Sequence, residues 1–140
     1  MGVIEVFEHT ADVGLRVRAD DLDDLFRTAA EGMFDYIVAN RDAVRVASSE
    51  TVALTSDEPA GLLITWLNEL IFRCETKHRL FSRFAVHVSD DGRSLRAEVG
   101  GEPIDRDRHV LDHEVKAVTR HGLSLRREGA DWVAELILDI

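Results

Sequence analysis

Residues 6 to 17 read VFEHTADVGLRV, and four side chains able to do chemistry crowd the middle of that stretch. Glu8, His9, Thr10 and Asp12 bring two carboxylates, an imidazole and a hydroxyl between two apolar segments. A plain hairpin needs only Asn-Gly or Asp-Gly at its turn, so the extra polar groups require another reason. A second grouping stands at the other end, where Asp139 is followed by Ile140. A strand running to that point would keep the Asp139 side chain beside a terminal carboxylate, and like charges so close need a cation or a lysine. The third grouping is HVLDHEVKAVTRH, with His109, His113, Lys116 and His121.

Each grouping implies a different chemistry. If Asp12 meets Asp139 and the Ile140 carboxylate, the result is a small all-oxygen site suited to Ca²⁺, Mg²⁺ or Mn²⁺. Spacing alone does not bring them together, and solvated loop carboxylates are the plainer alternative. His109 and His113 have the spacing of two zinc ligands on a helix, with Asp112 or His121 as a third. No second cysteine and no H-E-x-x-H motif supports that reading, so incidental histidines on a surface loop are expected instead. The chain has no G-x-S-x-G elbow, no Walker loop and no G-x-G-x-x-G loop.

The elements that must position these groups follow from periodicity. Val3 to Phe7 and Val13 to Ala19 alternate as strands. Leu22, Leu25, Phe26, Ala29, Ala30, Met33, Phe34 and Ile37 then form one stripe at helical spacing. Asp20 or Asp21 is placed to cap that helix, while Asp23 and Asp24 suit its positive end. Short strands are expected at Val44 to Val46 and Val52 to Leu54. SDEPAGLLITWLNELIFRCE reads as a second helix, with Asp57 as cap and Pro59 in the first turn. Phe84, Val86 and Val88 alternate, DDG turns the chain, and Leu95, Ala97 and Val99 alternate back as a hairpin. EVKAVTRH, LSLRR and WVAELILDI give the closing strands, interrupted at Gly122 and at EGAD. In the last of them Trp132, Ala134, Leu136, Leu138 and Ile140 share one face, and Ile140 is expected to be buried with the others. The sum is an α+β fold: two amphipathic helices packed on a mostly antiparallel sheet, in one domain spanning residues 1–140.

Bulk properties narrow the function. The formal net charge is −10, which argues against a direct grip on a nucleic-acid backbone and leaves room for a cation or a basic protein surface. The one cysteine, Cys74, falls on the apolar face of the second helix, so packing is its expected role. MGVIEVFEHT lacks the basic start and apolar run of a signal peptide, and no apolar run is long enough to cross a bilayer. A cytoplasmic location without membrane contact is expected.

EHTADVGLRVRADDLDDLFRTAAEGMFD, LLITWLNELIF, HEVKAVTRHGLSL and the closing LILDI together resemble the archease family, from the first strand to the last residue. One departure is visible: Arg120 stands between Thr119 and His121, where the family usually has Tyr. The resemblance implies a non-enzymatic activator of the GTP-dependent RNA ligase of tRNA splicing and RNA repair. Such proteins promote guanylylation of the ligase and its multiple turnover. The resemblance also implies a divalent-metal site, with Ca²⁺ the leading candidate, made by Asp12, Asp139 and an oxygen of Ile140, with Lys116 serving activation. On this view His9 and Thr10 order the loop by hydrogen-bonding Asp12. Two rivals stand beside it: a small metal-dependent phosphoester hydrolase using Asp12 and His9, and a chaperone-like binding module with a structural metal.

Overall fold

A computed structural model of the chain describes residues 2–9 and 12–140. Among the described residues seven strands and two long helices follow in the order β1 (Val3–His9), β2 (Asp12–Ala19), α1 (Leu22–Ile37), β3 (Ser48–Thr55), α2 (Pro59–Lys77), β4 (Arg79–Val88), β5 (Ser94–Pro103), β6 (Ala117–Glu128) and β7 (Asp131–Asp139). They form two sheets rather than one. The first has the order β1-β2-β7-β6 and the second β3-β5-β4. Every pairing between these strands is antiparallel.

The first sheet joins the two ends of the chain. The β1–β2 hairpin supplies one half, the β6–β7 hairpin the other, and β2 pairs with β7 at the centre. On its inner face Val13, Leu15, Val17 and Ala19 lie opposite Leu138, Leu136, Ala134 and Trp132. All but Trp132 are buried. Helix α1 packs on β2 of this sheet and β4 of the other, and α2 packs on β6 and on all three strands of the second sheet. The helices therefore bridge the sheets, and one continuous core of both helix stripes and both inner faces results. Trp66 is fully buried in it, and its indole Nε1 donates to the Phe26 carbonyl at 3.0 Å, which ties α2 to α1.

Local chemistry explains most boundaries. Asp21 caps α1 by accepting from the Asp24 backbone N–H. Of the two first-turn acids, Asp24 pairs with Arg27, while Asp23 reaches out to accept from the Val88 N–H at 2.7 Å. Helix α2 begins at Pro59 with Glu58, not Asp57, in the cap position, and no side chain makes the capping bond. Pro at the first position lacks one of the donors that a cap would satisfy. His78 ends the helix in the left-handed conformation, with φ 53°. Val44–Val46 does not form a strand. That stretch follows a short 3-10 turn, and its polar backbone bonds side chains: Ser82 Oγ donates to the Val44 carbonyl and the Arg45 N–H to Glu102. The strand expected at Val52–Leu54 is longer and starts at Ser48.

The β6 strand opens at Ala117, three residues later than the alternation suggests, and bulges between Thr119 and Ser124. Gly122 sits in that bulge at φ +70°, where an added Cβ would come within 3.0 Å of Ile137. Both facts favour glycine.

Candidate functional site

The strand register decides where the carboxylates lie. Asp12 opens β2 and Asp139 ends β7, and their Cα atoms are direct partners. Ala117 is the partner of Asp139 on its other side, and His9 is the partner of Asp12 on β1. Residues directly opposite in an antiparallel pair project to the same face, with Cβ atoms about 5 Å apart. Asp12 and Asp139 therefore stand side by side at one end of the outer face of the first sheet. Asp12 is half-buried and Asp139 exposed.

The row behind them is apolar. Phe7 lies over Gly14, where an added Cβ would meet the ring at 2.1 Å, and Gly14 faces Ile137 on β7. Arg16 stacks its guanidinium 5.1 Å from the Phe7 centroid and pairs with Glu5 and Glu135. Beyond it Arg18 pairs with Glu128 and Asp131. The arginines of this face are thus spent on neighbouring acids, and a different segment runs beside the Asp139 backbone. That segment is Glu114–Ala117. Val115 is buried, Lys116 is exposed, and the Lys116 backbone N–H donates to the Asp139 carbonyl at 2.8 Å.

Ile140 is 39% exposed, against the expectation that it would be buried with Leu136 and Leu138. The register supplies the reason. Among the described residues the β2–β7 register runs inward from Asp12 and Asp139, and Leu138 is the last β7 residue in the core cluster. Thr10 and the side chain of His9 lie outside the described residues. Among the described residues no three His, Cys, Asp or Glu side chains converge as a metal-binding group. The set that the strand register does assemble is two side-chain carboxylates and the Asp139–Ile140 backbone.

The histidines of the third grouping go elsewhere. His109 is no surface loop residue: it is 3% exposed. Its Nδ1 accepts from the Asp105 N–H at 3.0 Å, so its proton sits on Nε2, which donates to Glu102 Oε2 at 2.9 Å. Arg108 pairs with the same carboxylate, and the Arg45 N–H donates to it. Arg108 foremost, then the Arg45 and His109 bonds, holds the Glu102 carboxyl down at about 2. His113 instead stacks on Tyr36, with ring centroids 4.1 Å apart. With both nitrogens of His109 engaged and His113 facing another ring, the zinc pair does not form. Cys74 packs against the core, and burial pushes its thiol up to about 11, which fits a packing role. Arg120 reaches from the bulge of β6 toward Glu58 at 3.6 Å.

A groove of about 570 Å³ runs between the C-terminal ends of α1 and α2 and the 104–115 segment, lined by Ile37, Ile71, His78 and Leu111 among others. Asp12, Asp139 and Lys116 do not line it. The carboxylate pair stands at a strand end outside this groove, and so is not set to enclose a small substrate there.

Comparison with known proteins agrees with this architecture. Residues 4–140 match the Archease protein family (MTH1598/TM1083). Protein archease of Methanopyrus kandleri is 40% identical over 138 residues, which cover 97% of this chain and 98% of that one. Its counterpart in Methanothermobacter thermautotrophicus is 37% identical over 97% of both chains. The solution structure of Methanobacterium thermoautotrophicum protein 1598 superposes with a TM-score of 0.80 at 34% identity, covering 98% of each chain. The crystal structure of a Thermotoga maritima archease, described as a possible chaperone, shares the fold with a TM-score of 0.67 at 17% identity, over 96% of this chain and 94% of that one. The class defined by the two bridged sheets and the motifs quoted above is that of the archeases. The chain belongs to the archease family.

Proposed function

We propose that this chain is a metal-binding protein activator of a GTP-dependent RNA ligase of tRNA splicing and RNA repair, promoting guanylylation of the ligase and its multiple turnover. Family membership supports the class. The observation that carries the site is the direct opposition of Asp12 and Asp139 where β2 and β7 meet. Two like charges facing each other across strands destabilise a sheet, and a divalent cation relieves that repulsion. Their oxygens, with a backbone or terminal oxygen of Ile140, suit a hard cation, Ca²⁺ first and Mg²⁺ or Mn²⁺ as alternatives. When bound, the cation supplies concentrated positive charge at the tip of an otherwise acidic molecule.

The chain's own residues do the rest. The β2–β7 pairing holds the two carboxylates at fixed separation. Phe7 and Ile137 close the sheet face behind them. Lys116, exposed just before β6, offers its ammonium to the partner. The position of the pair outside the groove disfavours the rival reading of a self-sufficient hydrolase.

Calorimetric titration with Ca²⁺, Mg²⁺ and Mn²⁺ tests the metal site. One cation binds the native chain, and Asp12→Asn and Asp139→Asn each weaken it at least tenfold. Binding that is unchanged in both variants contradicts the assignment. A Gly-Ser extension after Ile140 separates the two oxygen sources: weakened affinity assigns a terminal carboxylate, equal affinity the peptide carbonyl.

A further inference from the structure

The WLNEL stretch of α2 contains one residue that neither the core nor the carboxylate pair accounts for. Asn68 projects toward the free edge of β6. Its Nδ2 donates to the Val118 carbonyl at 2.9 Å, and its Oδ1 accepts from the Val118 N–H at 2.9 Å. A single side-chain amide thus makes both bonds that a neighbouring strand would make at that residue. Val118 is 3% exposed, so neither of its backbone groups has ready access to water.

The place of this clamp matters. Val118 lies opposite Leu138, one residue from the Ala117–Asp139 pair and two from Lys116. Between His113, whose N–H reaches the Ile37 carbonyl, and Ala117, the chain is tied by the Lys116 N–H to the Asp139 carbonyl. Just beyond, the bulge from Thr119 to Ser124 interrupts the ladder to β7. The opening of β6 is therefore a short ladder segment between an irregular approach and a bulge, and Asn68 grips its middle from the side away from β7.

We infer that Asn68 is the positioning residue of the activating end: by clamping Val118 to α2 it fixes the start of β6 and so sets Lys116 beside Asp139. The role of Lys116 and Asp139 in activation rests on the function proposed above. The clamp itself does not, and the two are separable by experiment. It also predicts an order among substitutions. Asn68→Asp keeps the acceptor for the Val118 N–H but turns the donor into an oxygen facing the Val118 carbonyl. Asn68→Ala loses both bonds.

Amide hydrogen exchange on the full chain tests it, with Val52→Ala in β3 of the other sheet as a variant that loosens the core elsewhere. In Asn68→Ala the Lys116 and Val118 amides lose at least tenfold more protection than the Val99 amide of β5. Asn68→Asp falls between it and the native chain, and Val52→Ala does not single out Lys116. Lys116 protection that tracks Val99 in Asn68→Ala overturns the clamp, whatever the ligase does. Ligase guanylylation is read on the same samples. Activation lost in Asn68→Ala and partly restored in Asn68→Asp supports the positioning role. Lost Lys116 protection with full activation overturns that role. A native chain that fails to activate the ligase overturns the function proposed above, and the exchange data still decide whether Asn68 holds β6.

Discussion

Asp12 and Asp139 are each other's direct cross-strand neighbours, so substitutions at the two positions should not behave independently. If both act through one cation, the double variant Asp12→Asn/Asp139→Asn loses about as much affinity as either single variant, because the second change removes a ligand from a site already lost. Additive losses by calorimetry would assign them separate roles. Lys116 is exposed, and its charge contributes little to folding. Lys116→Ala should leave stability within about 0.5 kcal/mol of the native chain while clearly lowering ligase activation, checked by urea unfolding alongside the guanylylation assay. The residue types of this end were legible in the sequence, since an acid, an imidazole and a hydroxyl exceed the needs of a turn. The Glu102–Arg108–His109 cluster was not. Glu102 stands in GGEPID with nothing in its spacing to mark it, and its partners arrive only when the 104–111 segment folds back.

At the scale of elements, periodicity read both helix stripes and the β4–β5 hairpin correctly, because those faces bury against a single continuous core. Alternation misjudged the ends. It placed a strand at Val44–Val46, where side chains from Ser82 and Glu102 satisfy the backbone instead. It also carried the burial of Leu136 and Leu138 on to Ile140, which stands exposed just past the end of β7. The junction of α1 and α2 offers a direct check on packing. Trp66→Phe keeps most of the buried ring but removes the donor to the Phe26 carbonyl. Losing one such bond and some volume should cost about 1–2 kcal/mol, with the sheet ladders intact by circular dichroism. A loss below a few tenths would show that the indole bond is dispensable.

Across the whole molecule, the feature that makes the proposed site is the closure of the first sheet by the two ends of the chain. No local pattern announces that β2 and β7 pair, because they are separated by both helices and the entire second sheet. The family resemblance implied the meeting of Asp12 with Asp139; periodicity did not. A separate pH dependence comes from the second sheet. Glu102 has an ordinary carboxyl value of 4.5 lowered to about 2 in the folded chain by Arg108, the Arg45 N–H and His109. The folded state therefore binds this proton less readily than the unfolded one. The stability it contributes is fully present above about pH 4.5 and is lost as pH falls toward 2. Urea unfolding between those limits should show a falling midpoint. Glu102→Gln should be less stable than the native chain at pH 7 and lose less between pH 4.5 and 2. A native-like slope in that variant would move the acid sensitivity to other carboxylates.

Activation of a ligase is the central claim, and guanylylation of the purified ligase by GTP measures it most directly. The native chain, added below the ligase concentration with divalent cation present, should raise the extent and the rate of ligase guanylylation while leaving GTP and RNA unchanged on its own. Asp12→Asn, Asp139→Asn and Lys116→Ala should each lose most of that effect while remaining folded. Guanylylation indifferent to the native chain, or full activation by all three variants, would contradict the account.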